Sequence, residues 1–272
     1  MTTSRSLPRP LLNRAGAQAH RLVSGTGVAS LVAYRLDPDR AVDVLAHGVT
    51  RDGTLVVALV GGQLPEGTHE VRMDVRREAD EAQVRITAAS LHLLGELTWL
   101  EAEEAEALVA DPRLPVMAAL LADSPAVQWA RVTTERVVLH DASGVTTFTY
   151  VEVAAERTTC PETAQELHAH DLVTAAGQPA LAAICRAVTD GRLPGVVQSD
   201  RPSATSPGHA LDHVFCVDVD GLGVNLMQVG QERTSVVFAP FPTTVDHLDA
   251  LAAQVSVLAE LAQAAERSQP GW

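Results

Sequence analysis

The sequence has one local concentration of basic side chains, formed by Arg72, Arg76, Arg77 and Arg85. Alternate residues of a β-strand share a face, so Arg72 and Arg76 are expected to lie together, and Arg85 joins them across a hairpin if the register allows it. Guanidinium groups bind phosphate and carboxylate groups bidentately, which predicts an anion site. The alternative is a solvated strand face whose charge is balanced by Glu70, Asp74 and Glu78, and the sequence leaves both interpretations open.

A second candidate group is His168-Ala169-His170-Asp171, inside a segment with helical periodicity. Neutral imidazole is a common metal ligand. Residues two apart do not share a helix face, so at most His168 with Asp171, or His170 alone, points at one ligand. The sequence has no P-loop and no Gly-x-Ser-x-Gly elbow, and it predicts no metal-ion site. Catalytic residues therefore stay unassigned.

The arginines belong to a first half of the chain that is mainly strand. Periodicity predicts a helix over 8–23 and another over 101–110. Alternation and turn residues predict strands over 28–34, 42–50, 54–60, 70–77, 83–100, 127–140 and 145–152. In the strand over 70–77, Val71, Met73 and Val75 share one face, opposite Arg72 and Arg76. This content indicates an antiparallel barrel rather than alternating βαβ units.

A boundary is expected at residues 158–161, where Pro161 is placed to open a new helix. Residues 162–189 are helical in pattern with a break at Gly177–Pro179, and 197–208 is a loop rich in Ser, Pro and Gly. Three strands follow, over 213–219, 224–228 and 235–239. A closing amphipathic helix is predicted to begin at Thr243-x-x-Asp246, a pattern like a capping box. The sequence thus predicts two domains, 1–157 and 158–272.

Composition restricts the class of protein. Of 272 residues 46% are hydrophobic, and 20 basic residues oppose 34 acidic ones for a net charge of −14. Such an acidic chain is not expected to bind nucleic acid. No apolar run approaches the roughly 18 residues of a membrane helix. The three cysteines form no C-x-x-C pair and no signal peptide is visible, which predicts a cytoplasmic protein without membrane partners.

Three segments resemble a known family. The strand that runs into an acidic helix, LGELTWLEAEEA over 94–105, is similar to the split-barrel proteins related to pyridoxamine-phosphate oxidase. The segments VDVDGLGVNL over 217–226 and VVFAPFP over 236–242, with the closing helix, resemble the small domain that follows the barrel in haem-utilisation proteins. The resemblance implies an α+β fold, with a mainly antiparallel split β-barrel followed by a smaller α+β domain.

The resemblance also implies a homodimer with a small-molecule ligand at or near the subunit interface. Members bind flavin mononucleotide (FMN), or bind haem and in some cases degrade it. The leading hypothesis is a haem- or tetrapyrrole-binding protein, with His168 or His170 as the axial ligand and the strand arginines on the propionates. The second is an FMN-dependent oxidoreductase with Arg72, Arg76 and Arg85 around the phosphate. The third is a non-catalytic binding or scaffolding protein that has lost the cofactor. Whether the protein is an enzyme stays open.

Overall fold

A computed structural model describes residues 9–156, 160–203 and 208–267. They form two compact units. The first contains the described residues up to Arg77 and those from Ala89 to Glu156. The second contains the short segment Glu78–Ala88 together with the described residues from Cys160 onward. The chain therefore enters the second unit at Glu78 and returns to the first unit at Ala89. It enters the second unit again after the first unit is complete.

The first unit is built on a closed antiparallel barrel. Its strands are β1 (Val28–Val32), β2 (Val42–Val49), β3 (Leu55–Val60), β4 (Thr68–Glu78), β5 (Thr87–Trp99), β6 (Val127–Asp141) and β7 (Gly144–Thr149). They are ordered β3-β2-β1-β4-β5-β6-β7, and β3 also pairs with β6, so six strands close on themselves. The barrel closes through Val127–Val132 of β6, and β7 pairs with the remaining half of that strand. This pairing confirms the predicted split-barrel architecture.

Four helices accompany the barrel: α1 (Arg9–Val23), α2 (Ala102–Val109), α3 (Val116–Leu121) and α4 (Tyr150–Ala155). Ala15, Ala19 and Leu22 of α1 are buried in the barrel core with the inward side chains of the strands. A second cluster packs Val109 of α2 and Ala118 of α3 against buried side chains of β2, β3 and β6. The two helices thus cover one part of the outer sheet surface. The outer faces of β1, β4 and β5 do not contribute to that cluster.

The second unit is α+β. Its strands β8 (Val196–Pro202), β9 (His213–Asp220), β10 (Gly223–Val229) and β11 (Arg233–Pro240) form a four-stranded sheet ordered β8-β11-β10-β9. The helices are α5 (Glu166–Thr174), α6 (Gln178–Thr189) and α7 (Leu248–Arg267), and they bury apolar side chains against the sheet. The break between α5 and α6 falls at Gly177, whose φ of +82° favours glycine. Together with the barrel, this sheet and its helices confirm the predicted α+β fold class.

The structure corrects three local predictions and adds one helix. The last barrel strand ends at Thr149 and not at 152, because Thr149 and Glu152 form a capping box that starts α4. The predicted loop over 197–208 is a strand as far as Pro202. This strand, β8, is the edge of the sheet, where exposed polar side chains are tolerated. Residues 204–207 lie outside the described residues. Helix α3 was not predicted. Helix α7 begins at Leu248, where His247 Nδ1 accepts the Ala250 N–H at 3.1 Å, so Thr243 does not cap it.

No single helix in the described ranges is long and apolar enough to cross a membrane. Residues 163–174 and 178–189 reach that length and composition together, but they meet at an 88° bend. The apolar side chains of α6 belong to the buried core of the second unit.

Candidate functional site

A cleft of about 530 Å³ lies on the outer face of the barrel, over β1, β4 and β5. Its polar lining consists of Ser30, Arg72, Asp74, Arg76, Ser90 and His92. The volume falls within the roughly 300–1,000 Å³ that is usual for small-molecule sites. The cleft is on the part of the sheet surface that α2 and α3 leave uncovered.

The alternation of β4 places the charged groups of the cleft. Val71, Met73 and Val75 are fully buried in the barrel core, so Arg72, Asp74 and Arg76 must project to the opposite face. On β1, Ser30 lies directly opposite Asp74 in the antiparallel register. On β5, Ser90 and His92 alternate with the buried Leu91 and Leu93 and so face the same way. Three neighbouring strands therefore contribute to one polar surface.

Asp74 is the centre of the hydrogen bonding in the cleft. Its Oδ1 lies 2.5 Å from Nδ1 of His92, and its Oδ2 accepts a hydrogen bond from Nε of Arg72 at 2.9 Å. A carboxylate in this position only accepts, so Nδ1 of His92 carries a proton. Whenever the ring carries a single proton, its lone pair is therefore on Nε2. Asp74 thus compensates the charge of Arg72 and fixes the tautomer of His92 at the same time.

Arg72 and Arg76 are both exposed, but Arg76 has no hydrogen-bond or ion-pair partner among the described residues. A guanidinium group with all its donors free is suited to an incoming anion. Arg72 keeps donors as well, because only its Nε is directed to Asp74. The cleft therefore carries two arginines and one carboxylate, a local excess of positive charge on an acidic protein.

The imidazole of His92 has two further neighbours. Ser90 Oγ lies 3.4 Å from Nε2, a long hydrogen bond, and the ring of His140 meets the His92 ring edge to face at a centroid distance of 5.0 Å. His140 belongs to β6, where it pairs with Ser90 in the sheet register. Nε2 of His92 is therefore the only strong acceptor atom of that ring left for a ligand, with a rotatable hydroxyl beside it.

Of the residues predicted from the sequence, Arg72 and Arg76 line the cleft and Arg85 does not. Arg85 lies in the segment that joins the second unit, where its Nε is 3.3 Å from Oε2 of Glu78. Its side chain is 83% exposed. The hairpin that was expected to bring all three arginines together stops pairing before Arg85, because β5 begins only at Thr87.

His168 and His170 belong to α5 of the second unit and occupy different faces, as their spacing predicts. His168 is exposed, whereas His170 is buried with its Nε2 3.3 Å from Oε1 of Glu81, an ion-pair separation. The same Glu81 oxygen accepts the backbone N–H of Cys216 at 2.9 Å. Through these contacts Glu81 connects the segment Glu78–Ala88 to α5 and β9 of the same unit.

The ion pair perturbs both groups. The Glu81 carboxylate raises the pKa of His170 above its ordinary value, against the effect of burial. Burial opposes ionisation of Glu81, but His170 and the Cys216 N–H together hold the pKa of that carboxyl below its usual range. His170 is therefore favoured as an imidazolium, and an imidazolium has no lone pair for a metal.

His92 and His140 were not predicted as site residues from the sequence. A signal for His92 was present, because Ser90 and His92 are the polar alternate positions of an otherwise apolar stretch, Ala88–Leu94. Their proximity to Asp74 depends on the register between β4 and β5, which the pattern of either strand alone does not specify. Within the described residues, no three His, Cys, Asp or Glu side chains converge as a metal-ion site would need.

Comparison with known proteins gives similarity to solved structures only. Neither a protein-family model nor a curated protein matches the sequence. The chain is similar over 97% of its length to the whole of a heme binding protein from Mycobacterium smegmatis, with a TM-score of 0.49 and 17% identity. It is similar over 95% of its length to the whole of a protein of unknown function from Agrobacterium tumefaciens, with a TM-score of 0.35 and 16% identity. Campylobacter jejuni ChuZ matches 57% of this chain with 67% of its own, at a TM-score of 0.34 and 8% identity.

Proposed function

We propose that the protein binds haem or a related tetrapyrrole in the cleft on the outer face of the barrel. The observation that carries the proposal is the arrangement of Arg72, Asp74 and Arg76 along one strand face. Positions 72 and 76 are separated by about 13 Å along the strand at roughly 3.3 Å per residue. Two arginines at separate positions along one strand face suit a ligand with two separate carboxylates, such as the propionates of haem.

The same arrangement favours a tetrapyrrole over FMN. A single phosphate would have to draw both guanidinium groups to one point, and the Asp74 carboxylate, which already holds Nε of Arg72, lies between them. A dianionic group at that point would be repelled by Asp74. Two monoanionic carboxylates, one at each arginine, avoid this conflict.

The residues of the cleft also suit an iron porphyrin chemically. Haem iron already has four ring nitrogen ligands, so the protein needs to supply only an axial donor such as imidazole. A cleft with one imidazole and two arginines meets this requirement without a cluster of metal-binding side chains. Breakdown of haem consumes oxygen and electrons in addition, and the proposal concerns binding.

We further propose that the protein is a homodimer that pairs through the cleft face. Three large aliphatic side chains on this face are exposed: Val28 by 75%, Leu94 by 62% and Val145 by 65%. Val28 lies opposite Arg76, Val145 lies opposite His140, and Leu94 follows Ser90 and His92 in the alternation of β5. Burial of these side chains by a second copy would remove apolar surface from water and close the cleft from above.

A binding titration tests the proposed ligand. Purified protein is titrated with haemin and, separately, with FMN, following the Soret absorbance and the flavin fluorescence. We expect haemin to bind, and the double variant Arg72→Ala/Arg76→Ala to bind at least tenfold more weakly, about 1.4 kcal/mol. Arg85→Ala is the matched control, since it removes an exposed arginine outside the cleft, and its affinity should equal that of the wild type.

Three results would contradict the proposal. Equal haemin affinity in the double variant and the wild type would remove the cleft as the site. Binding of FMN in place of haemin would identify a flavin protein. Binding of neither ligand would support a scaffolding protein that has lost its cofactor.

A further inference from the structure

One histidine of the barrel, His92, is oriented for the role of iron ligand that the sequence predicts for His168 or His170. This inference rests on the proposed function, since it names the iron ligand of the same cleft. We propose that Nε2 of His92 is the axial ligand of the haem iron and that Asp74 is the residue that positions it. The inference replaces His168 and His170, which lie in the second unit, by a histidine of the barrel itself.

The position of the Asp74 carboxylate determines the tautomer of the His92 ring. With Nδ1 2.5 Å from a carboxylate oxygen of Asp74, the proton of the neutral ring is held on that nitrogen. The lone pair is then on Nε2, and Nε2 belongs to a ring that lines the cleft. Histidines that bind metals commonly donate their other N–H to a carboxylate, which fixes both the tautomer and the orientation of the ring.

The other histidines described in this unit are not placed in the same way as His92. Nε2 of His47 is 2.7 Å from the Leu22 carbonyl in a fully buried position, and burial lowers the pKa of its imidazole. Nδ1 of His20 is 2.8 Å from the Val153 carbonyl, and Nε2 of His69 is 2.9 Å from the Pro65 carbonyl. Only His92 both lines the cleft and has a carboxylate on its other nitrogen.

The Nε2 atom of His92 is accessible to a ligand. Among the described residues its one hydrogen-bonding neighbour is the Ser90 hydroxyl at 3.4 Å, which is at the long limit of a hydrogen bond. Rotation about a single side-chain torsion removes this hydroxyl. The side chain of His92 is 42% exposed, so a ligand can approach without disturbing the barrel core.

A carboxylate on the distal nitrogen also changes the chemistry of the ligand. With haem bound, the hydrogen bond to Asp74 would make the imidazole a stronger donor and would stabilise ferric over ferrous iron. Arg72 shares the same carboxylate through Oδ2 and draws part of its charge away from His92. The arginine proposed to hold a propionate is thereby connected, through Asp74, to the iron ligand, so removal of Arg72 is expected to strengthen the donor.

The experiment compares His92→Gln with His140→Gln, both loaded with haemin. His140 is the matched control, because it is the neighbouring ring at 5.0 Å and has no carboxylate partner among the described residues. We expect His92→Gln to shift the Soret band and to lose the iron–histidine stretching band of the ferrous form in resonance Raman spectra. Added imidazole should restore the wild-type absorbance. His140→Gln should keep both signatures.

A second variant tests the positioning role. Asp74→Asn keeps the shape of the side chain but removes its charge, so we expect haemin to stay bound while the iron–histidine stretching frequency falls and the reduction potential rises. Circular dichroism confirms that each variant is folded before loading.

The outcomes separate this inference from the proposed function. If haemin binds through Arg72 and Arg76 but His92→Gln retains the wild-type spectra, the assignment of His92 is wrong and the proposed function stands. If wild-type protein does not bind haemin, the proposed function fails first. An Asp74→Asn spectrum and potential equal to those of the wild type would refute the positioning role alone.

Discussion

In the second unit, Nε2 of His170 lies 3.3 Å from Oε1 of Glu81, and the two side chains are only 10% and 15% exposed. Asp171 lies 3.7 Å from the other ring nitrogen, and Asp80 and His213 add their charges to the same surroundings. An imidazolium and a carboxylate with so little solvent around them stabilise each other more than a surface pair does.

The pair predicts a defined pH dependence of stability. The pKa of His170 is raised, so its contribution is full below the ordinary value of 6.5 and is lost as the pH rises through the folded-state value. The pKa of Glu81 is lowered, so its contribution is full above 4.5 and is lost as the pH falls through the folded-state value. We expect a double-mutant cycle with His170→Gln and Glu81→Gln, measured by unfolding in urea, to give a coupling energy of about 1 kcal/mol between pH 4.5 and pH 6.5. At high pH the coupling energy should be much smaller. A coupling energy that does not change with pH would contradict the ion pair.

The close approach of β1 and β4 gives a prediction for Gly27. A Cβ atom at this position would lie 2.5 Å from the carbonyl oxygen of Arg76, and the residue has a φ of +88°. We expect Gly27→Ala to lower the free energy of unfolding and to weaken haemin binding, because the backbone that carries Arg76 must move. Gly62→Ala is the control, since Gly62 has a similar φ of +77° but open space around it. Its cost should be limited to the strain of positive φ, about 1–2 kcal/mol, and equal losses in the two variants would argue against the crowding.

The exposed aliphatic side chains of the cleft face give a prediction for assembly. We expect wild-type protein to sediment as a dimer of its 28.8 kDa chain, and Leu94→Arg to sediment as a monomer, because it places a charge in the proposed interface. Leu120→Arg is the control, since Leu120 is 71% exposed but lies on α3, away from the cleft face. A monomeric wild type at micromolar concentration would overturn the dimer proposal.

The three cysteines are expected to be unreactive in the native protein. Cys160, Cys185 and Cys216 are all buried and none forms a disulfide. Burial also raises the pKa of the Cys185 thiol to about 12, so the reactive thiolate is scarce at neutral pH. Titration with a chromogenic thiol reagent should detect almost no thiols in native protein and all three in urea. Rapid reaction of native protein would indicate that one of these sites opens.

The charged face of β4 could be predicted from the sequence because a strand's alternation depends only on its own residues. Val71, Met73 and Val75 identify the buried face, so the positions of Arg72, Asp74 and Arg76 follow. Contacts between strands could not be predicted in the same way. The hydrogen bond from His92 to Asp74 and the exclusion of Arg85 both depend on where β4 and β5 pair.

The helix α4 shows a second limit. Tyr150, Val151 and Val153 have high strand propensity, and they continue the pattern of β7. The Thr149–Glu152 capping box and the burial of Val153 against the barrel core outweigh that propensity. The signal was present in the spacing of Thr149 and Glu152, but it competed with a stronger local pattern.

The assignment of Glu78–Ala88 to the second unit affects how the protein can be divided. Val84 and Ile86 of this segment pack against a cluster of buried residues around Phe215. A fragment starting near residue 158 would leave Phe215 without these neighbours and Cys216 without its acceptor. Expression of the carboxyl-terminal half by itself is therefore expected to give an aggregation-prone product. Fusion of the segment Glu78–Ala88 to the amino terminus of this fragment should improve the yield.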